Sequence, residues 1–318
     1  MSSRGAALAL ALLLALLCAP SPAPAAERPL VVATTTVLGS IVKDLAGDAV
    51  DVDVIASPSV CPAHYDVRPS DVEAFRMADL VLSHGVEPWV GLLREASGSQ
   101  APVVTVRGAW NTPAGLRKLY ESVAKALMDY LGVDVSTRLA SSLRGINETE
   151  SWLKSFASER GFVGTPVVAM KWQEPFVSFL GFKVVATYGP PEMVTPKEYK
   201  EVVANATKWG AVMVIDNLQS GVELGESVAT EVGAAHVALT NFPDVRPGLS
   251  NVTEVMKYNA KALAAALAEA RLMGELAKAR GDVELWRALS VALGGLAAVF
   301  AAAAAVLAAK LRRRAPSG

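Results

Sequence analysis

Histidine and cysteine are both scarce, with three and two copies in 318 residues. So few imidazoles leave few choices for a catalytic base. Neither G-x-S-x-G, nor H-E-x-x-H, nor a phosphate-cradling glycine loop occurs, so no enzyme and no catalytic cofactor is legible. Charge of one sign is not in excess either. Lys and Arg number 30 against 31 Asp and Glu, for a net −1. That balance removes the basic footprint of a nucleic-acid binder and the acidic tract of a solvated tail. Aromatic residues make up only 6% of the chain, and no internal repeat or low-complexity tract stands out.

Long apolar runs are present at the two ends only. Arg4 followed by Ala6–Leu17 and the small-residue segment Ala23-Pro24-Ala25 reads as a signal peptide over residues 1–26. Cys18 follows Leu17, where lipidation usually wants Gly, Ala or Ser, so cleavage near Ala26 or Glu27 is the expectation. Cys61 is then the one remaining cysteine, and no disulfide can form within the mature chain. Residues 289–309 carry no charge, and at about 1.5 Å per residue they reach across the roughly 30 Å of a bilayer's hydrocarbon. Lys310, Arg312, Arg313 and Arg314 follow. By the positive-inside rule, the tail 310–318 is cytoplasmic and the body extracytoplasmic, a single-pass protein of the cell membrane.

Between the ends, short β-branched runs alternate with segments of helical spacing. Strands are expected at 29–36, 50–57, 79–82 and 102–106, with helices at 37–46, 70–77 and 113–131. Residues 135–159 read as one long helix through Leu139, Leu143, Ile146, Trp152 and Phe156. The alternation restarts with strands at 166–170, 183–186, 211–215 and 235–239 and helices at 196–209, 221–232 and 253–275. This is an α/β fold with two parallel-sheet lobes, 27–134 and 161–280, joined by a linking helix, 135–160. A juxtamembrane link, 281–288, then leads to the transmembrane helix. In such sheets ligands sit at the carboxyl ends of the strands.

The turn after the second strand, Ser57-Pro58-Ser59-Val60-Cys61-Pro62-Ala63-His64-Tyr65-Asp66, runs into a Pro69-Ser70-Asp71 helix start and the Ala78-Asp79-Leu80-Val81 strand. This pattern resembles the zinc- and manganese-binding proteins of the cluster A-I (TroA-like) family. Ala33-Thr34, Gly181-Phe182-Lys183-Val184-Val185, Ala229–Ala234 and Met256-Lys257-Tyr258-Asn259 extend the resemblance over most of the body. It implies two lobes around a rigid helix and a receptor for Zn²⁺ or Mn²⁺. The implied partners are an ABC permease and its ATPase, with the terminal helix as membrane tether.

The family's metal ligands do not carry over residue by residue. Where a histidine directly follows the proline of the first loop, this chain has Ala63. The second histidine position holds Gly108, the third falls near Lys171, and the usual acid is matched by Thr240-Asn241. A replacement set at the strand ends is Cys61, His64, His84, Glu174 and Asp216, a thiolate, imidazole and carboxylate mixture suited to a Zn²⁺-like ion. Cys61 serves equally well as a small buried apolar residue, His64 as a loop histidine bonded to Asp66 or Asp71, and His84 as a satisfied strand-end residue. His236 reads as core. Trp110, Trp172 and Asn241 are expected to line the cleft, with Trp89, Phe176 and Tyr188 near it, and aromatics of this kind also line organic-solute pockets. A non-metal receptor and a cell-surface adhesin are the other readings.

Overall fold

A computed structural model describes residues 28–314, with side chains to residue 310. The signal-peptide expectation and the arginines of the basic tail lie outside the described side chains. Eight strands form two four-stranded parallel sheets of identical topology. The first has the order β2-β1-β3-β4, from β1 (Leu30–Ala33), β2 (Asp51–Val54), β3 (Leu80–Ser83) and β4 (Val103–Thr105). The second has the order β6-β5-β7-β8, from β5 (Pro166–Met170), β6 (Lys183–Tyr188), β7 (Met213–Asn217) and β8 (Ala235–Leu239). The inner strands β3 and β7 are buried along their length, whereas β2, an edge, shows the alternation of DVDV as exposed and half-buried.

Five helices belong to the first lobe and its exit: α1 (Thr36–Ala46), α2 (Pro69–Met77), α3 (Val90–Ser97), α4 (Pro113–Leu131) and α5 (Ser136–Arg160). The second lobe carries α6 (Glu174–Phe179), α7 (Pro196–Trp209) and α8 (Glu223–Val232), and α9 (Val252–Arg314) closes the chain. Local chemistry sets several boundaries. Thr112 and Thr195 cap α4 and α7 with their side chains ahead of Pro113 and Pro196, which need no N–H there. Gly161, at φ 72°, ends α5 in a conformation that costs other residues a Cβ clash.

The sequence places α5 between the lobes, and packing shows how it is held. Its faces meet α4 and α1 on one side and α9 on the other. Its C-terminal end joins an aromatic ladder, Trp152 on Phe156 at 4.7 Å, Phe156 against Phe162 at 6.1 Å, and Phe162 on Phe182 at 4.6 Å. One buried cluster runs from Val31 and Ile41 through Leu153 to Val167, Ile215 and Leu263, so the lobes share a core across this helix.

The chain's end differs from the sequence reading, which separates a helix 253–275, a link 281–288 and a membrane span. All three lie in the single helix α9. Gly281 alone does not stop it, because the strong helix formers Ala277–Arg280 precede it and no proline follows. From Leu272 onward α9 is exposed, and it is the one described helix long and apolar enough to cross a membrane.

Candidate functional site

The carboxyl ends of both sheets face each other, and side chains following the central strands meet there. In the first lobe Thr34 and Thr35 follow β1 and His84 follows β3, the point at which strand order reverses. His84 is buried and stacks on Trp110 with ring centroids 4.3 Å apart. Its Nδ1 lies 3.3 Å from the Val106 carbonyl, which can only accept, so the proton sits on Nδ1. The Nε2 lone pair then accepts from the Thr35 hydroxyl at 2.9 Å. Burial lowers the His84 pKa from 6.5 to about 4, against the opposing pull of Glu87 and the Val106 carbonyl. Glu87 is itself saturated: it accepts from Thr34 Oγ1, from the His84 N–H at 3.0 Å and from the Val86 N–H at 2.9 Å.

The second lobe presents amides. Gln173 follows β5 and donates through Nε2 to Asn217 Oδ1 at 3.0 Å and to Asn241 Oδ1 at 3.1 Å. Asn111 of the first lobe donates to the Trp172 carbonyl at 2.8 Å and to Asn241 Oδ1 at 3.4 Å. Trp110 Nε1 reaches the Asn241 carbonyl at 3.0 Å, and Gln219 Nε2 reaches the Pro58 carbonyl at 3.0 Å. Asn259 holds the loop from behind through both backbone groups of Thr240. The second lobe's side of the seam is therefore neutral and amide-rich. Among the described residues, Gln173 Oε1 is the one buried side-chain polar atom with no hydrogen-bond partner. Such an orphan costs about 1–3 kcal/mol and calls for an explanation.

The proposed ligand set does not assemble. Among the described residues, no three His, Cys, Asp or Glu side chains come together so as to hold a metal ion. His84 is in the seam, but its partners are Thr35, Val106 and Trp110. Cys61 is half-buried, not core, and caps the turn Pro62–His64. His64 is exposed and lies 3.4 Å from Glu192 across the cleft rim, so it bonds neither Asp66 nor Asp71. Asp71 instead accepts from Tyr65 and the Arg68 N–H at the start of α2. Glu174 is the first residue of α6, half-buried, where a carboxylate favours the helix start.

Asp216 is fully buried inside β7 between the Tyr188 hydroxyl and His236 Nε2, the latter at 2.7 Å. Burial, followed by the Asp216 charge, pushes the Tyr188 hydroxyl's pKa well above its ordinary value. His236 is thus a hydrogen-bond partner of Asp216 on a half-buried strand face rather than core. Of the aromatics, Trp110 and Trp172 reach the seam, while Trp89, Phe176 and Tyr188 are interior. Trp172 also borders an open hollow of about 620 Å³ with Tyr188, Pro190, Met193 and Glu198. Sequence reading missed Gln173, Asn111, Asn217 and Gln219. The available signal was position, since Gln173 lies just past Lys171, near which a family histidine was sought.

The family model described as zinc-uptake complex component A, periplasmic (ZnuA), matches residues 31–266. Among curated relatives, the manganese ABC transporter substrate-binding lipoprotein PsaA of Streptococcus anginosus is 30% identical over 128 residues, 39% of this chain and 35% of that protein. The metal ABC transporter substrate-binding lipoprotein ScbA of Streptococcus cristatus is 28% identical over 149 residues, 45% of this chain and 41% of that one. The chain thus spans less than half the length of the curated relatives it matches. The crystal structure of the periplasmic zinc-binding protein TroA from Treponema pallidum superposes with a TM-score of 0.65 at 18% identity, over 76% of this chain and 99% of that one. At that identity the likeness establishes the fold.

Proposed function

Because this chain belongs to the ZnuA family of extracytoplasmic metal-binding receptors, which are not enzymes, we propose that it captures a divalent ion, Zn²⁺ or Mn²⁺, at the seam between its lobes. It delivers that ion to an ABC permease driven by its ATPase. The observation that carries this reading is the convergence of His84, Gln173 and Asn241 at the facing strand ends, with Gln173 Oε1 buried and unpartnered. On binding, the seam opens far enough for His84 Nε2 to leave Thr35. It then joins the amide oxygens of Gln173 and Asn241, a nitrogen and oxygen donor set compatible with either ion. Cys61, His64 and Glu174 would line the entry rim, and Asp216 would brace β7 rather than ligate. The α9 helix would keep the receptor beside its permease, raising the local concentration of cargo-loaded protein.

A second reading is favoured by one observation, the absence among the described residues of any trio of His, Cys, Asp or Glu at the seam. A bare divalent ion held only by neutral donors gains little to offset its lost hydration. A neutral or chelated solute that hydrogen-bonds the amides, with the hollow beside Trp172 as its outer pocket, fits the same geometry.

Metal content by mass spectrometry on the full-length protein, purified in detergent without a histidine tag, followed by calorimetric titration with Zn²⁺ and Mn²⁺, separates the two. The ion reading expects near-stoichiometric binding, weakened at least about tenfold, or about 1.4 kcal/mol, by His84→Ala and by Gln173→Ala. No binding heat from either ion sinks it and leaves the solute reading.

A further inference from the structure

After leaving the body, α9 exposes a regular apolar stripe with nothing on it. Its last tie to the lobes is the Arg271 guanidinium, which donates to the Arg160 carbonyl at 3.2 Å. Beyond that point Leu272, Leu276, Ala279, Val283 and Trp286 recur at alternating intervals of four and three. The large ones are 66%, 54%, 53% and 68% exposed for Leu272, Leu276, Val283 and Trp286. The same register continues without a break through Ser290, Leu293, Ala297, Phe300, Ala304 and Leu307. An alternation sustained this far is the seam of a coiled coil. Trp286 alone could be an interfacial anchor, but Leu272 and Leu276 lie too far above the membrane span for lipid to cover them. Gly274 and Gly281 fall on the opposite face, where they weaken an isolated helix and leave the stripe unobstructed.

The charges beside the stripe select the partner. With Leu276 and Val283 at heptad position a, and Leu272, Ala279 and Trp286 at d, the g positions are Glu275 and Asp282 and the e positions are Met273, Arg280 and Arg287. In a parallel pair a g residue faces the e residue five positions later in the partner. Glu275 then meets Arg280 of the second copy, and Asp282 meets Arg287, twice each by symmetry. An antiparallel pair would set acid against acid and arginine against arginine. Among the described residues none of these four forms an ion pair within its own chain. We infer that the α9 stalk is a parallel homodimerisation helix, in which the exposed Leu272–Trp286 stripe is covered by a second copy of this chain.

Two chains tethered in one membrane by this helix are already parallel, so tethering favours the same arrangement. Inside the span, small residues at Ser290, Ala297 and Ala304 let the two backbones approach, as packing in lipid requires. The inference goes beyond the receptor reading and does not depend on which cargo the seam takes.

Oxidative cross-linking of the full-length protein in lipid nanodiscs tests it, with single cysteines placed in a background where Cys18 and Cys61 are serine. Leu276→Cys and Val283→Cys should form covalent dimers about tenfold faster than Ala277→Cys and Gly281→Cys, which face away. Glu275→Arg with Asp282→Arg should weaken self-association in detergent about tenfold or more, and adding Arg280→Glu with Arg287→Glu should restore it. Equal cross-linking at all four positions, a monomer at every concentration, or self-association indifferent to charge reversal would each overturn the assignment.

Discussion

His84 is held neutral by burial, and that makes its contribution to stability depend on pH. In the unfolded chain the imidazole takes a proton as the pH falls through about 6.5, while in the folded protein it resists until about 4. The stabilisation is therefore complete above pH 6.5, drains away as the pH falls from 6.5 to 4, and declines no further below that. The shift corresponds to up to about 3 kcal/mol over this window. Urea unfolding of wild type and His84→Gln from about pH 7 to about pH 4 should show the variant losing less stability than wild type by that order. Identical slopes would mean that His84 titrates freely. The sequence placed His84, Glu174, Trp110, Trp172 and Asn241 at strand ends because a strand's end is a local property. Which of them touch is not local: His84 bonds Thr35, 49 positions away, and Asn111 reaches Asn241 across 130. Gln173 carried no motif, and a lone glutamine gives no signal until folding buries it.

Gly39 shows how one position sets the seating of a whole helix. Nine of the eleven residues of α1 are buried, so the helix must lie tight on the sheet. A methyl at Gly39 would sit 2.6 Å from Val54 Cγ2 in β2, whose β-branched side chain has little room to move. Gly39→Ala should cost about 1–3 kcal/mol by overpacking, offset by at most about 1 kcal/mol of helix propensity. If steric conflict is the cause, Val54→Ala should relieve it, and a double-mutant cycle by chemical denaturation should return a coupling of about 1 kcal/mol or more. Additive effects would place the cost elsewhere. Elements with strong punctuation were legible from sequence to the residue: α4 and α7 each open on Thr-Pro and close before a glycine, and β5 and β8 are short, mostly apolar runs of five. The short helices α3 and α6 were not, because eight and six residues complete too few turns to display a period. The unbroken course of α9 was also missed, since Gly281 read as the start of a link.

At the scale of the molecule, the shared core has a consequence for motion. Receptors whose lobes are joined by extended strands can hinge, because little packing crosses the joint. Here the joint is α5, whose buried Ile146, Leu153 and Ala157 belong to the cluster that reaches into both sheets. Opening the seam widely would expose that surface, so displacements around Trp110, Gln173 and His84 should be small. The same coupling predicts how the body unfolds. With the largest buried cluster shared across α5, the lobes should open globally as one unit, although a chain of this length would ordinarily be free to lose them separately. Hydrogen exchange followed by mass spectrometry on the full-length protein reads this directly through the inner strands β3 and β7. Both should exchange at the same global limit, and Leu153→Ala, which empties the middle of the shared core, should lower both together by about 2–5 kcal/mol. If only one strand's protection falls, α5 is a connector between independent lobes, and a wide hinge becomes available to the receptor after all.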